Sequence, residues 1–182
     1  MSSTLYPART PGADGLLVFV MLDMLFFGLM LTAFCVGRVG QAELYAVSRQ
    51  SLDVDLGMVN TMILLASSWA VAVAVRATAL GRTRLRTLGL LLGIALGLAF
   101  LAVKSHEYRS KINVGITPLT SEFFTWYYAI TGLHMLHVVA GVVALVVAWR
   151  VTAAPRTTES IGLFWHMVDL LWVMLFPIVY LL

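Results

Sequence analysis

The sequence predicts an all-α polytopic membrane protein with five transmembrane helices, and three observations carry that expectation. Of its 182 residues 60% are hydrophobic and 12% charged, the mean hydropathy is +0.92, and apolar runs of about twenty residues, enough to cross a bilayer, alternate with short polar stretches. The net charge is +3. Its basic residues sit in the stretches between runs, as membrane topology requires, so no nucleic-acid partner is expected. Cys35 is the single cysteine, which excludes an internal disulfide and a cysteine-based metal site.

The polar lead, residues 1–15, lacks the basic segment and small-residue cleavage site of a signal peptide, so the first apolar run, about 16–37, is read as a retained span. It carries Asp23. The polar stretch 38–56 is long enough for a surface helix. The second span, 57–79, repeats Ala66, Ala70 and Ala74 at spacing four, and the third, 88–103, repeats Gly89, Gly93 and Gly97. Small residues at that spacing let helices approach closely. Between these spans Arg76, Arg82, Arg84 and Arg86 crowd one turn. The fourth span, 123–149, holds His134 and His137; the fifth, 161–182, holds His166 and Asp169, and Pro177 is expected to kink it. Residues 16–182 thus read as one five-helix membrane domain.

The positive-inside rule puts the arginine turn, the N-terminus and the connector bearing Arg150 and Arg156 in the cytoplasm, with the C-terminus outside. At about 1.5 Å per residue, Asp23, His166 and Asp169 fall in one layer roughly 10 Å below the cytoplasmic surface. His137 falls deeper, at roughly 18 Å. Lys104, His106, Glu107 and Glu122 fall at the opposite edge.

Ionisable residues inside a membrane are costly and need a reason. His134 and His137, three apart, share a helix face, as do His166 and Asp169. One reading is a polar seam in which each side chain bonds to a neighbouring helix. A second is a metal site, for which the ligand types are right but the paired E-x-x-H motifs of di-iron bundles are replaced by H-x-x-H and H-x-x-D. A third is proton handling through Asp23, His166 and Asp169. Two histidines three apart on one helix cannot sandwich a haem, and His166 is too shallow to pair readily with His134.

These residues also carry a family resemblance. Thr131-Gly132, His134, His137-Val138 and Gly141, followed by Trp165-His166, Val168-Asp169 and Trp172, resemble the paired signatures of subunit III of haem-copper oxidases. Glu159, seven before His166, and Glu107-Tyr108 match that family's spacing. Asp23-Met-Leu-Phe26-Phe27 is similar to its acid-x-x-F-F segment, with aspartate in place of the usual glutamate.

The resemblance implies a five-span form that lacks the first two helices of the seven-span subunit. Asn60-Thr61, Ser67 to Val75 and Lys104 are most like the short subunit-III-like proteins associated with nitric oxide reductase. It further implies no catalytic residues, metal or cofactor of its own, and a catalytic haem-copper subunit as partner in a prokaryotic cell membrane. Bound phospholipid is implied too, at a cytoplasmic rim where Arg76, Arg82 and His166 would meet phosphate. His134, His137, His166 and Asp169 become a structural seam between the last two spans, and Asp23 the membrane carboxylate. The readings from a different class stay open: a metal- or proton-handling enzyme built on the same cluster, and an assembly factor of an unrelated membrane complex.

Overall fold

A computed structural model describes residues 11–151 and 154–182; the first ten residues of the polar lead and positions 152–153 of the last connector lie outside the described residues. Among the described residues six α-helices follow in order: α1 (Pro11–Gly40), α2 (Ala42–Arg49), α3 (Val54–Ala79), α4 (Thr83–Asn113), α5 (Glu122–Arg150) and α6 (Pro155–Phe176). A π-helical turn, Pro177–Leu181, extends α6. Five of the helices are long and apolar enough to cross a membrane, and α2 is the short surface helix expected in the first polar stretch.

Side-chain chemistry sets the ends. Asp53 caps α3 by accepting from the Leu56 amide at 3.0 Å, so this helix starts three residues before the apolar run does. Ser121 caps α5, and Pro155, which has no amide to lose, occupies the first turn of α6. The largest departure from the apolar pattern is α4. The sequence reading ends the third span at 103, yet the helix continues to Asn113, because Lys104, Glu107 and Lys111 share one face and that face is buried. Pro177 acts as a change of winding: from there the chain closes the wider i to i+5 bond, Leu182 N donating to Pro177 O at 3.0 Å.

The glycine and alanine ridges do pack, but each only in part. A Cβ on Gly89 would lie 2.7 Å from the Ala70 carbonyl oxygen and 2.9 Å from the Ala74 Cβ. Gly93 faces Val71, and its carbonyl accepts from Ser67 Oγ at 3.1 Å. Gly97 instead faces Trp165 of α6 and Val142 of α5, and Ala66 is exposed. A repeat of four residues drifts about 40° per step on a helix of 3.6 residues per turn, so the ends of each ridge leave the shared seam. Trp165, fully buried, fills the space that glycine opens on two helices, since a Cβ on Gly97 or Gly141 would come within 2.7 or 2.6 Å of its ring.

Candidate functional site

The polar interior divides into two assemblies. The first lies at mid-membrane, where Asp23 and the histidines meet. His137 Nε2 is 3.2 Å from Asp23 Oδ1, and its Nδ1 lies 2.9 Å from the Leu133 carbonyl oxygen one turn back in α5. Phe27 packs edge-on against the imidazole at 5.5 Å. His134 is fully buried; its Nε2 lies 3.1 Å from the Val168 carbonyl oxygen of α6, and Phe100 and Trp172 flank its ring. His166 Nδ1 is 2.6 Å from Ser68 Oγ on α3. Asp169 is buried on α6, and the Ser68 hydroxyl that meets His166 Nδ1 stands beside its carboxylate.

Two sequence expectations are corrected here. The four-residue seam between the last two spans reduces to one bond, His134 to Val168, because His137 turns to α1 and His166 to α3. Three-residue spacing puts two side chains on one broad face, but about 60° of azimuth still separates them on a helix of 3.6 residues per turn, enough to reach different neighbours. The depth separation of Asp23 from His137 also disappears. Since α1 starts at Pro11 and α5 ends at Arg150, Asp23 stands twelve residues into its helix and His137 thirteen from the end of its own. Among the described residues no three His, Cys, Asp or Glu side chains gather closely enough to hold a metal ion.

The second assembly lies toward the membrane edge opposite the arginine turn. Lys104 is fully buried. Its ammonium donates to Glu107 Oε2 at 3.0 Å, to the Tyr127 hydroxyl at 3.0 Å and to the Tyr180 hydroxyl. Those phenols in turn donate to Glu107, Tyr127 at 2.8 Å and Tyr180 at 2.9 Å. The rings of Tyr108, Tyr127, Trp172 and Tyr180 surround the Lys104 ammonium, with centroids 4.7 to 5.4 Å away. Lys111 stands 3.7 Å from Glu107 Oε1 and donates to the Ser51 carbonyl at 3.0 Å, fastening the loop before α3 to α4. Each ion here is removed from water at a cost of several kcal/mol, which the hydrogen bonds and aromatic faces offset.

Sequence reasoning placed Lys104 and Glu107 at the membrane edge and missed their burial. The available signal was the i, i+3, i+7 spacing of Lys104, Glu107 and Lys111 on a helix whose partner spans carry Tyr127 and Tyr180. Tyr108, one residue after Glu107, bonds to the Thr131 hydroxyl, which joins the two motif segments of α4 and α5.

Other expected residues lie apart from both assemblies. Arg76, Arg82 and Glu159 are exposed, and Arg86 of the same turn is buried and donates to the Ala148 carbonyl at 2.6 Å. At the opposite rim Gln41 donates to Glu122, whose carboxylate lies beside Tyr45. Burial, with Glu122 adding to it, pushes the Tyr45 phenol up to about 12.

A bundle with five helices long and apolar enough to cross a membrane is a multi-pass membrane protein. More particularly, the chain belongs to the cytochrome c oxidase subunit III family, which it matches over residues 12–182. It is 29% identical over 176 residues to cytochrome c oxidase subunit 3 of Thermostichus vulcanus, covering 92% of this chain and 86% of that protein. It is 31% identical over 146 residues to cytochrome c oxidase subunit 3 of Alkalihalophilus pseudofirmus, covering 74% and 69% respectively. A cytochrome bo(3) ubiquinol oxidase subunit 3 of Pseudomonas aeruginosa is 32% identical over 132 residues, covering 69% and 63%.

Proposed function

We propose that this chain is a non-catalytic accessory subunit of a haem-copper oxidase, holding no cofactor of its own and stabilising a catalytic membrane partner. Membership of the subunit III family over nearly the whole chain supports the reading, and the single structural observation that carries it is the disposition of the polar groups. His134, His137 and His166 each reach a different helix, which is what a scaffold needs and what a convergent catalytic centre does not do. Support of lipid binding and of proton uptake by the catalytic partner belongs to this reading, in which Asp23 is the membrane carboxylate, held by His137.

In this reading the protein lies in a prokaryotic cell membrane with its N-terminus and arginine turn cytoplasmic. The exposed Arg76 and Arg82 then face lipid phosphate at the cytoplasmic rim. A nitric oxide reductase is the second candidate host, favoured by Asn60-Thr61, Ser67 to Val75 and Lys104, on which the likeness to the short subunit-III-like proteins rests. Affinity purification of the tagged chain from mildly solubilised membranes tests both. A stoichiometric haem-containing oxidase subunit is expected to co-purify. Recovery of a nitric oxide reductase selects the second host, and recovery of an unrelated membrane complex overturns the accessory-subunit reading.

A further inference from the structure

Trp172, Tyr180, Tyr127, Tyr128 and Tyr108 form one continuous group of oxidisable rings in the half of the bundle opposite the arginine turn. From mid-membrane outward, the ring centroids of Trp172 and Tyr180 lie 6.3 Å apart, those of Tyr180 and Tyr127 6.2 Å, and those of Tyr127 and Tyr128 5.1 Å. Tyr108 closes the group, 4.8 Å from Tyr128 and 5.9 Å from Tyr127. Trp172, Tyr127 and Tyr180 are buried, and Tyr108 and Tyr128 are half-buried. Rings this close exchange electrons readily, so an electron taken from an outer ring is replaced from an inner one.

The rings differ in where their protons can go. A phenol that loses an electron becomes a strong acid, and it persists as a radical only if a base within hydrogen-bond reach takes its proton. Tyr127 and Tyr180 both donate to Glu107 Oε1, at 2.8 and 2.9 Å. Tyr128 donates to the Ile116 carbonyl, Tyr108 meets the Thr131 hydroxyl, and Trp172 Nε1 donates to the Thr61 hydroxyl. Carbonyls and hydroxyls accept a hydrogen bond without keeping the proton. The Lys104 ammonium, 4.7 to 5.4 Å from the centroids of Tyr127, Tyr180, Tyr108 and Trp172, works against any ring that must stay positively charged. It also donates to the Tyr127 and Tyr180 oxygens, and so supports a neutral phenoxyl there.

We propose that Tyr127 and Tyr180, with Glu107 as their shared proton acceptor, form a tyrosyl-radical site fed through Tyr128 and Tyr108. A one-electron oxidant of higher potential than a phenol takes one electron at the outer rings and is itself reduced. The O–H bond of Tyr127 or Tyr180 breaks, its proton passes to Glu107 Oε1, and a neutral radical remains. One electron from a donor of the ascorbate class, with the proton returning from Glu107, restores the phenol. The site belongs to this chain alone and does not depend on which complex the chain joins.

The test is flash photolysis of the purified full chain in detergent, with tris(bipyridine)ruthenium as photo-oxidant and a cobalt(III) ammine as sacrificial acceptor, followed by freeze-quench electron paramagnetic resonance. A neutral tyrosyl signal is expected, its g-tensor shifted by the hydrogen bond from Lys104. 3-Fluorotyrosine incorporated at Tyr127 or at Tyr180 keeps the phenol and the fold, and at one position or both it should add fluorine splitting. At Tyr128 it should add none. Glu107→Gln keeps an acceptor oxygen but takes no proton, and should lower the radical yield about a hundred-fold. Trp69→Phe, which removes an exposed indole outside the group, should leave the signal as it is. Fluorine splitting from Tyr128 or Tyr108 alone, a tryptophan radical alone, or an undiminished yield in Glu107→Gln overturns the proposal.

Discussion

Lys104 Nζ lies 3.0 Å from Glu107 Oε2, one helical turn along α4, with both side chains at most 1% exposed. The pair is fully desolvated, so its partners Tyr127 and Tyr180 supply the hydrogen bonds that water would otherwise give. Through them three helices close at one end.

Lys104→Met leaves the Glu107 carboxylate buried with only Lys111 to balance it. A loss of about 3–5 kcal/mol is expected, read as a lower unfolding temperature in detergent. Adding Glu107→Leu should restore a large part of that loss, because removing both charges also removes their desolvation cost. Wild-type stability in Lys104→Met would show that the buried pair does not hold these helices.

Gly89 is the point of the α3–α4 seam where the close approach is to backbone. The atom a Cβ would strike there is the Ala70 backbone oxygen, 2.7 Å away, which cannot swing aside like a side chain. Gly89→Ala should destabilise by about 1–3 kcal/mol. Gly132→Ala, whose nearest neighbour would be the Tyr108 hydroxyl at 3.8 Å, should be silent in the same thermal melt. Equal effects of the two would sink the close-approach account.

The Asp23–His137 pair joins α1 to α5 from partly exposed positions, 12% and 15%. A double-mutant cycle with Asp23→Asn and His137→Phe should give a coupling of about 0.5–2 kcal/mol. Additive effects would mean that the two side chains stabilise their helices independently.

Asp169 behaves oppositely to a rivet. Its carboxylate is buried with the Ser68 hydroxyl as its neighbour, a contact the isosteric amide can keep, so Asp169→Asn chiefly removes a desolvated acid. Asp169→Asn is expected to raise the unfolding temperature at neutral pH. A marked fall would reveal a bond that this carboxylate makes and the amide does not.

Tyr45 gives a pH signature outside the spans. Its folded phenol stands at about 12 against an ordinary 10, so the fold favours the neutral form. That contribution is whole below about pH 10 and is lost as pH climbs toward 12. Wild-type protein should lose stability across this window, and Tyr45→Phe should show a shallower decline. Identical alkaline profiles would remove Tyr45 from the account.

Much of the site was legible in the sequence in kind, and little of it in pairing. The motif segments singled out His134, His137, His166, Asp169, Asp23 and Glu107, of which His134, Asp169 and Glu107 are buried. The partners of His137 and His166 could not be read, because they come from α1 and α3, and a spacing along one helix says nothing about which neighbour stands at each azimuth. Lys104 was read as a boundary residue since a hydropathy pattern treats a buried, compensated ammonium and a solvated one alike.

The apolar runs, the arginine turn and the ordered motifs by themselves determined a five-span membrane protein of the subunit III type, because span length and charge placement answer to the bilayer as solvent. Only the tertiary structure determined where α4 ends, which helix each histidine holds, and that Lys104 and Glu107 form a dry centre. Those outcomes depend on the groups that neighbouring helices bring to the same depth, and on whether together they can repay the desolvation of a charge.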